Sequence, residues 1–418
     1  MSIVIVGMLD EREEALQLIK DCIEGRGLKP CLIDISVGTG AIVPKLQPDV
    51  SCGELAELAA KGAAPPTGRR TTATSVMAAG LRAKVLELHR AGDLEGIIAI
   101  TGMTGALITL PVMKELPFGL PKILISGATS MPVHASQFAD YFSLRDITVM
   151  HTVVDTVGMN ALVRTLAVNG ANAIAGMVEG GGFSRKEGKP SVAITEFGFC
   201  DKGAHYIREI LQPDFEIVSF HAQGLGDRAA MDLVPQGMFK AVIDLVPGAF
   251  TEYLLGGNRG VAGPDRLDLA SHLPIPYIFC PGGFDIISCG PLERKDADDP
   301  LWTSRRLAER KLYIQDPPRV QARMSPGELK QAAVAAAEKL NAYERKERVK
   351  VVIPLRGFSS LSVEGGPLYE PETDNVFPVA MKSRIDPAIT VTEVDSDINS
   401  PRFAQAVVNA LKAAFKSV

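Results

Sequence analysis

The sequence predicts an α/β protein of two Rossmann-like, doubly wound parallel-sheet domains with a cleft between them. In each half of the chain, short apolar runs alternate with stretches whose apolar residues recur every three to four positions, as in amphipathic helices. Parallel strands need crossover helices, so this alternation indicates parallel sheets. A glycine-rich, charged segment, Glu179–Pro190, separates the halves. The predicted domains are residues 1–184 and 185–418.

The first half begins with a buried-type strand at Ser2–Gly7. A helix over Glu11–Glu24 follows, with an apolar stripe that includes Leu16, Ile19 and Ile23. Further strands are predicted at Pro30–Val37, Gly96–Thr101 and Lys122–Ser126, and further helices at Thr72–Ala91, Gly105–Glu115 and from Asn160 to Met177. This order is that of a doubly wound sheet.

The second half repeats the pattern after the glycine-rich segment. Strands are predicted at Ser191–Glu196, Phe215–Phe220, Ala241–Leu245, Pro276–Cys280, Val349–Pro354 and Ile389–Val394. The clearest helices are Pro326–Lys346 and Pro401–Lys416. A second sheet of the same kind is therefore expected.

The composition is that of a globular protein. The 418 residues are 46% hydrophobic and 22% charged, with a formal net charge of −5 and a mean hydropathy of +0.13. Acidic and basic residues are mixed along the chain, so neither a nucleic acid nor a membrane is an expected partner. The six cysteines form no CxxC pair, and the N-terminus lacks the features of a signal peptide. Reduced thiols and a cytoplasmic location are expected.

Turns at the ends of the predicted strands are the first candidate sites. Ligands of open α/β sheets bind beyond the carboxyl ends of the strands, where glycine turns and helix N-termini present backbone N–H groups to anions. In the first half these turns combine glycine with hydroxyl or carboxylate side chains, which predicts a polyphosphate or carboxylate site. No GxxxxGK[ST] sequence occurs, so this is not a P-loop. The candidate cofactor-binding residues are Asp10, Gly38, Gly102, Thr104, Gly105, Gly127, Thr129 and Ser130.

The strand ends of the second half carry more reactive groups. His221 is predicted to transfer protons near neutral pH, Arg356 to bind a carboxylate or phosphate, and Asp285 to orient either of them. These three are the candidate catalytic residues. The candidate substrate-binding residues are Gly224, Gly226, Asp227, Gly282, Gly283 and Ser359.

The stretch SFHAQGLGDRA contains Gly224-x-Gly226-x-x-Ala229, close to a dinucleotide fingerprint, with Asp244 at about the 20-residue offset of its acidic residue. However, three residues separate the strand from the glycines, whereas the fingerprint glycine normally begins the turn. We interpret the stretch as an anion-binding turn and expect no NAD. The histidines show no HxxxH or HxH spacing and no GxSxG turn occurs, so neither a metal site nor a serine nucleophile is predicted.

Several stretches taken together resemble one family. They are GMLDEREE, GMTGALIT, VVDTVGMN, NAIAGMV, FHAQGLGDRAAM, AGPDRL, CPGGFDIISCGP, IPLRGFSSL and VDSDINSPRFA, and they span nearly the whole chain in order. The chain is identified by them as similar to a family of bacterial α/β proteins that resemble the N-terminal, ATP-binding domain of the tomato mosaic virus resistance protein.

The resemblance implies a two-subdomain Rossmann-like architecture, a homo-oligomer, and ATP, with magnesium, as the candidate cofactor. One departure concerns the turn after the first strand. The family's Leu-Asp-Thr-Lys-Gly pattern reads Leu9-Asp10-Glu11-Arg12-Glu13 in this chain, without the lysine.

Three functions are therefore open. The first is a metabolic enzyme that binds a nucleotide or a carboxylated or phosphorylated metabolite in the interdomain cleft, with acid/base chemistry at His221. The second is a non-catalytic ATP-binding or interaction protein. The third is a hydrolase or lyase that acts on an oxo acid without ATP.

Overall fold

The computed structural model describes residues 1–38, 40–62, 73–131, 135–181, 188–222 and 224–416. The chain divides into two compact units, Met1–Lys186 and Glu187–Val418. Their boundary falls in the segment Glu179–Pro190, of which residues 182–187 lie outside the described residues. Each unit is an α/β layer structure around a parallel sheet, and the predicted fold class is confirmed.

The N-terminal unit contains one five-stranded parallel sheet of order β2-β1-β3-β4-β5. Its strands are β1 (Ser2–Gly7), β2 (Pro30–Asp34), β3 (Leu94–Ile100), β4 (Lys122–Ile125) and β5 (Thr148–Met150). Its helices are α1 (Leu9–Glu24), α2 (Cys52–Gly62), α3 (Ala73–Arg90), α4 (Met103–Glu115), α5 (Ala135–Leu144) and α6 (Ala161–Glu179).

Helices cover both faces of this sheet, because successive side chains of a strand point to opposite faces. In β1, Ile3 and Ile5 pack in the core that includes α1 and α6, whereas Val4 and Val6 pack in the core that includes α2–α5. All six residues of β1 are buried. This two-sided burial is why the strand is apolar without alternation.

Helix α6 is the one helix of the described residues whose length and apolar composition would allow it to cross a membrane. Core helices of globular proteins can have the same length and composition, and α6 buries Val163, Ala167, Ala171 and Ile174 in the core of the N-terminal unit. A side-chain cap at Asn160 begins the helix, since its Oδ1 accepts hydrogen bonds from the N–H groups of Leu162 and Val163. We therefore describe α6 as a core helix of a globular unit.

The C-terminal unit contains a six-stranded parallel sheet of order β14-β13-β9-β8-β6-β7 and a three-stranded antiparallel sheet of order β10-β12-β11. The strands are β6 (Ser191–Glu196), β7 (Glu216–His221), β8 (Ala241–Asp244), β9 (Tyr277–Phe279), β10 (Ile286–Gly290), β11 (Leu312–Asp316), β12 (Arg319–Arg323), β13 (Val349–Pro354) and β14 (Thr390–Val394). The helices are α7 (Asp201–Leu211), α8 (Leu225–Leu233), α9 (Gly248–Leu255), α10 (Pro300–Ser304), α11 (Pro326–Asn341), α12 (Pro371–Asp374), α13 (Val376–Lys382) and α14 (Pro401–Lys416).

Helices α11 and α14, the two that the sequence predicts most clearly in this unit, can be explained by local sequence features. Helix α11 starts with Pro326 after a capping box, in which Ser325 and Glu328 satisfy each other's backbone N–H groups. Helix α14 buries Phe403, Val407 and Leu411, which recur every four residues on one face. The small antiparallel sheet was not predicted, because polar and charged residues dominate β11 and β12.

The order of the strands in each sheet indicates where a ligand would bind. In sheets of order 2-1-3-4-5, ligands bind outside the carboxyl ends of the first and third strands, where the strand order reverses. That point lies between β1 and β3 in the N-terminal unit and between β6 and β8 in the C-terminal unit. We call these the first and second switch points.

Candidate functional site

The first switch point is built from the turns that follow β1 and β3. Asp10 and Arg12 lie in the first turns of α1, and Thr101 and Gly102 lie between β3 and α4. The two strands are neighbours in the sheet, so both turns open on the same edge. All four residues are polar or glycine, in an otherwise apolar unit.

Arg12 is a candidate site residue that the sequence analysis missed. Its backbone leaves the helical region, with φ −133° and ψ 26°, so α1 is kinked there. The side chain is buried, and its Nε donates a hydrogen bond of 2.7 Å to Thr156 Oγ1 beyond β5. Its Nη1 contacts Glu11. The family's turn pattern after the first strand could have identified this residue. That pattern has lysine where this chain has Arg12, which supplies a cation in its place.

The other terminal nitrogen of Arg12, Nη2, lies 3.9 Å from Asp155 Oδ1 and beside the start of α4. A Cβ atom placed on Gly102 would lie 3.0 Å from Arg12 Nη2, so the guanidinium lies directly against this glycine. Gly102 is the N-cap of α4 and no side chain caps the helix. A helix N-terminus carries partial positive charge, and a cation beside it is the unfavourable arrangement unless an anion lies between them. Arg12, although also paired with Glu11 and Asp155, and the start of α4 together form a candidate anion site.

Asp10 and Thr101 present unused polar atoms at the same edge. Asp10 is 7% exposed, and its Oδ2 accepts a hydrogen bond of 2.9 Å from Gly40 N. Asp10 Oδ1 and Thr101 Oγ1 are buried without a hydrogen-bond partner. Buried polar atoms are nearly always paired in folded proteins, so these two atoms are candidate contacts for a polar ligand. Across the described ranges, no group of three or more His, Cys, Asp or Glu side chains is arranged to hold a metal ion.

The other predicted cofactor-binding residues lie at the same sheet edge with differing surroundings. Gly38 is exposed with φ +80° in the turn after β2. Thr104 lies in the first turn of α4. Gly105 is buried in the same turn, and a Cβ on it would lie 2.7 Å from Thr101 Cβ, so no larger residue fits. Gly127, Thr129 and Ser130 follow β4, where Ser130 Oγ lies 3.2 Å from His151 Nδ1. Gly38, Thr104 and the turn after β4 thus flank the Arg12 site, whereas Gly105 has a packing role.

In the C-terminal unit the predicted catalytic trio is not assembled. His221 ends the edge strand β7, whereas Asp285 follows β9 and Arg356 follows β13. β7 is three strands from β9 and four from β13, which at about 4.8 Å per strand separates His221 from Asp285 by roughly 14 Å and from Arg356 by roughly 19 Å. The structure thus corrects the predicted constellation, because sequence order at strand ends does not give neighbourhood in the sheet.

Asp285 and Arg356 are each engaged elsewhere. Asp285 is fully buried and accepts a hydrogen bond from Ser359 Oγ, and Ser359 is itself fully buried. Arg356 is exposed and donates to both carboxylate oxygens of Asp395, at 2.5 and 3.0 Å. Ser359 is therefore a partner of Asp285, and the Arg356 charge is already balanced by a carboxylate.

Arg356 and Asp395 line a cavity of about 360 Å³ at the ends of β13 and β14. Glu364 and Asp374 are also in its wall, so its carboxylates outnumber its one cation. Burial raises the pKa of Asp374 to about 6, against the opposing effect of Arg323. An anion clamp formed by Arg356 alone is not supported by these surroundings.

The glycine turns of the second half have structural roles. Gly224, with φ +90°, donates its N–H to Asp227 Oδ2 at 2.8 Å. The N–H groups of Gly282 and Gly283 donate to Leu245 O and Phe358 O, both at 3.1 Å. These donors, predicted to bind substrate, are used within the chain.

Asp227 belongs to a fully buried ionic network. Arg266 donates through Nε to Asp227 and through both terminal nitrogens to Asp244, at 2.7 Å each. Asp244 also accepts from Thr195 Oγ1 at 2.7 Å and from Tyr277 OH. Because Asp244 is enclosed in this way, it is not placed to bind a cofactor ribose.

Gly226 is required by the approach of α8 to β7. A Cβ at this position would lie 2.1 Å from His221 O and 2.8 Å from His221 N, both backbone atoms. We expect Gly226→Ala to lower the free energy of unfolding of the C-terminal unit by about 1–3 kcal/mol, since the helix must shift. Urea titration followed by the fluorescence of Trp302 measures it, because this single tryptophan is buried in that unit. Gly327→Ala is the control, since a Cβ there meets nothing within 4 Å, and an equal loss in both variants would contradict the steric explanation.

Fold and site together define a class: a two-unit α/β protein in which each unit carries a parallel sheet with its own switch point. The chain belongs to the uncharacterised protein family UPF0261. The model of the family's N-terminal domain matches residues 1–181, and that of its C-terminal domain matches residues 189–415. The family resemblance predicted from the motifs is confirmed.

Relatives in bacteria and in a plant extend this comparison. A UPF0261 protein of Clostridium tetani is 31% identical over 413 residues and covers 98% of both chains. The ToMV resistance protein Tm-1(GCR237) of Solanum lycopersicum is 28% identical over 349 residues, which is 82% of this chain and 44% of the tomato protein. Among solved structures, the Streptomyces sp. SF2575 glycosyltransferase SsfS6 aligns over 93% of this chain and 97% of its own, with 12% identity and a TM-score of 0.17, a likeness that carries no functional argument.

Proposed function

We propose that this protein binds the phosphate groups of a nucleotide at the first switch point, with ATP as the first candidate, and acts as an enzyme on a small anionic metabolite. The observation that carries the proposal is the Arg12 guanidinium against Gly102 at the uncapped start of α4. Guanidinium and helix N-terminus are both suited to phosphate oxygens. The ATP-binding domain that the family resembles supports the choice of nucleotide.

Asp10 fits a magnesium ion that would accompany the phosphates. Its Oδ1 is buried and unpaired, and a carboxylate beside a phosphate site needs a cation. Magnesium is commonly held by one or two carboxylates and by phosphates while it keeps several waters, so a large protein cage is unnecessary. When bound, the ion would neutralise phosphate charge, and the Thr101 hydroxyl would supply one more polar contact.

The reaction of the proposed enzyme is left open between ATP-dependent activation and a hydrolase or lyase step on an oxo acid. The second candidate is a protein that binds ATP without catalysis, and the distance of His221 from Asp285 and Arg356 favours it. We place the protein in the cytoplasm as a homo-oligomer. Its six unpaired cysteines agree with a reducing compartment.

Arg12→Ala is expected to weaken ATP binding by about tenfold or more, because a hydrogen bond to a charged group contributes roughly 1.5–3 kcal/mol. Adenosine, which lacks phosphate, should bind both proteins alike. Isothermal titration calorimetry with ATP, ADP, AMP and adenosine, each with and without magnesium, measures this. Arg12→Lys should retain part of the affinity, since it keeps the charge and loses the planar fork.

Arg26→Ala is the matched control, because it removes an exposed arginine of the same unit that pairs with Glu179. Circular dichroism checks that each variant is folded. Equal ATP affinity in wild type and Arg12→Ala, or no ATP binding by wild type, would refute the proposed site. Phosphate release from bound ATP then separates the enzyme from the non-catalytic candidate.

A further inference from the structure

We propose a second ligand site, for a small organic acid or phosphate ester, at the second switch point of the C-terminal unit, with Arg259 as its anion-binding residue and His221 beside it. This site is independent of the nucleotide site and lies in the other unit. Three residues form it: Phe197 follows β6, His221 ends β7, and Arg259 lies in the loop after α9.

Phe197 directly follows β6, the first strand of its sheet. The guanidinium carbon of Arg259 lies over its ring, 4.7 Å from the centroid. The His221 ring meets the same ring edge-on, with centroids 5.9 Å apart. One aromatic side chain therefore contacts both the cation and the imidazole, next to the end of β6, one of the two strands of the second switch point.

Within the chain the Arg259 guanidinium contacts the Phe197 ring and interacts with the charge of Glu252, but these contacts do not use its hydrogen-bond donors. Among the residues that the structure describes, no side-chain or backbone oxygen accepts a hydrogen bond from it. It is nevertheless partly buried, and this burial lowers its pKa, against the opposing effect of Glu252. A guanidinium whose N–H groups make no hydrogen bond within the chain can bind a carboxylate or phosphate with two hydrogen bonds.

Glu252 positions the loop that carries Arg259. The Glu252 carboxyl on α9 accepts hydrogen bonds from Ser288 N at 2.8 Å and from Arg259 N at 3.5 Å. Gly257 begins this loop, and a Cβ there would lie 1.8 Å from Glu252 Oε2. Glu252 is therefore a positioning residue: it fixes the backbone of Arg259 from beneath while the guanidinium stays free.

His221 is the group of this site that can exchange a proton with a bound acid. Its imidazole is exposed at the end of β7. Two carboxylates lie near this imidazole. Glu196 is the register partner of His221 in β6, and the charge of His221 acts on the carboxyl of Asp201. Arg208 Nη2 forms a salt bridge of 2.6 Å with Glu196 Oε2. Arg259, whose guanidinium donors are not used within the part of the chain that the structure describes, is the proposed anion partner of the site.

The test is ligand stabilisation of the full-length protein, read by Trp302 fluorescence during thermal unfolding. The probes are inorganic phosphate, pyruvate, succinate and citrate at millimolar concentration. We expect at least one to raise the transition temperature of wild type. Arg259→Ala should weaken its binding by about tenfold or more, and Arg259→Lys by less.

Arg319→Ala is the matched control, because Arg319 is an exposed arginine near Arg259 that pairs with Asp316. It should keep wild-type affinity for the same acid. Arg12→Ala should also keep it, whereas Arg259→Ala should keep wild-type affinity for ATP, so the two sites fail separately. Stabilisation of Arg259→Ala equal to that of wild type would overturn the proposal, as would the absence of stabilisation of wild type by every probe. His221→Gln should retain binding through Arg259 within a few-fold.

Discussion

Replacement of Arg266 by methionine is expected to lower the free energy of unfolding of the C-terminal unit by about 3–5 kcal/mol. The guanidinium is fully buried between Asp227 and Asp244, which are also fully buried. Its removal leaves two carboxylates in the core without their shared cation. Because folded domains are stable by only about 5–15 kcal/mol, this one change should leave the unit marginal.

Urea titration followed by Trp302 fluorescence measures the loss in the C-terminal unit alone. Arg345→Ala is the control, since its salt bridge with Glu347 is exposed and should contribute at most about 1 kcal/mol. Adding Asp244→Asn to Arg266→Met should restore part of the stability, because it removes one uncompensated charge. If Arg266→Met lowers the free energy of unfolding by no more than Arg345→Ala does, the buried ionic network does not stabilise this unit.

The second large effect is a pH dependence that Glu252 imposes. Burial raises the pKa of this carboxyl from 4.5 to about 7 in the folded chain. Between these two values the folded state binds more protons than the unfolded state, so the free energy of unfolding falls as the pH rises. The full difference is about 3 kcal/mol, complete above pH 7 and absent below pH 4.5.

Glu252→Gln should flatten this part of the stability curve, since the amide does not ionise. Urea titrations by Trp302 fluorescence at half-unit steps from pH 4.5 to 8 give the slope. Asp374, whose pKa is raised to about 6, contributes a slope of the same sign, so some dependence should remain. Glu309→Gln serves as control because the Arg306 hydrogen bond holds the Glu309 pKa below its usual value, outside this window. A wild-type curve that rises over this range would contradict the assignment.

Much of the fold could be predicted from local patterns. β1 is six consecutive buried residues and reads as an apolar run, and α14 shows its buried stripe as apolar residues every three to four positions. Short or polar elements were missed: β5 has three residues, none of them buried, and β11 and β12 carry charges on a small antiparallel sheet. Their pattern is weak because β5 and β11 bury none of their residues and the buried residues of β12 include Gln321 and Arg323.

The candidate sites were predicted as turns at the ends of strands. Turns after strands were predicted as the edge where ligands bind, and the structure brings Arg12 against Gly102 and Asp10 against Gly40 at this edge. Arg12 was passed over because a charged residue in the first turn of a surface helix is ordinarily solvent-exposed, and only the backbone kink buries it. Arg259 has no motif, since its partner Phe197 is distant in sequence.

The sequence by itself determined the class of fold, the periodicity of most helices and strands, and the family. These properties depend on the burial of each side chain and on motifs, both of which are local along the chain. Only the tertiary structure decided which strand ends are neighbours. It separated His221 from Arg356, paired Arg356 with Asp395, and brought Arg12 to Thr156 across 144 positions of sequence. Strand order is set by how crossover helices pack on the two faces of the sheet, and no local pattern encodes it.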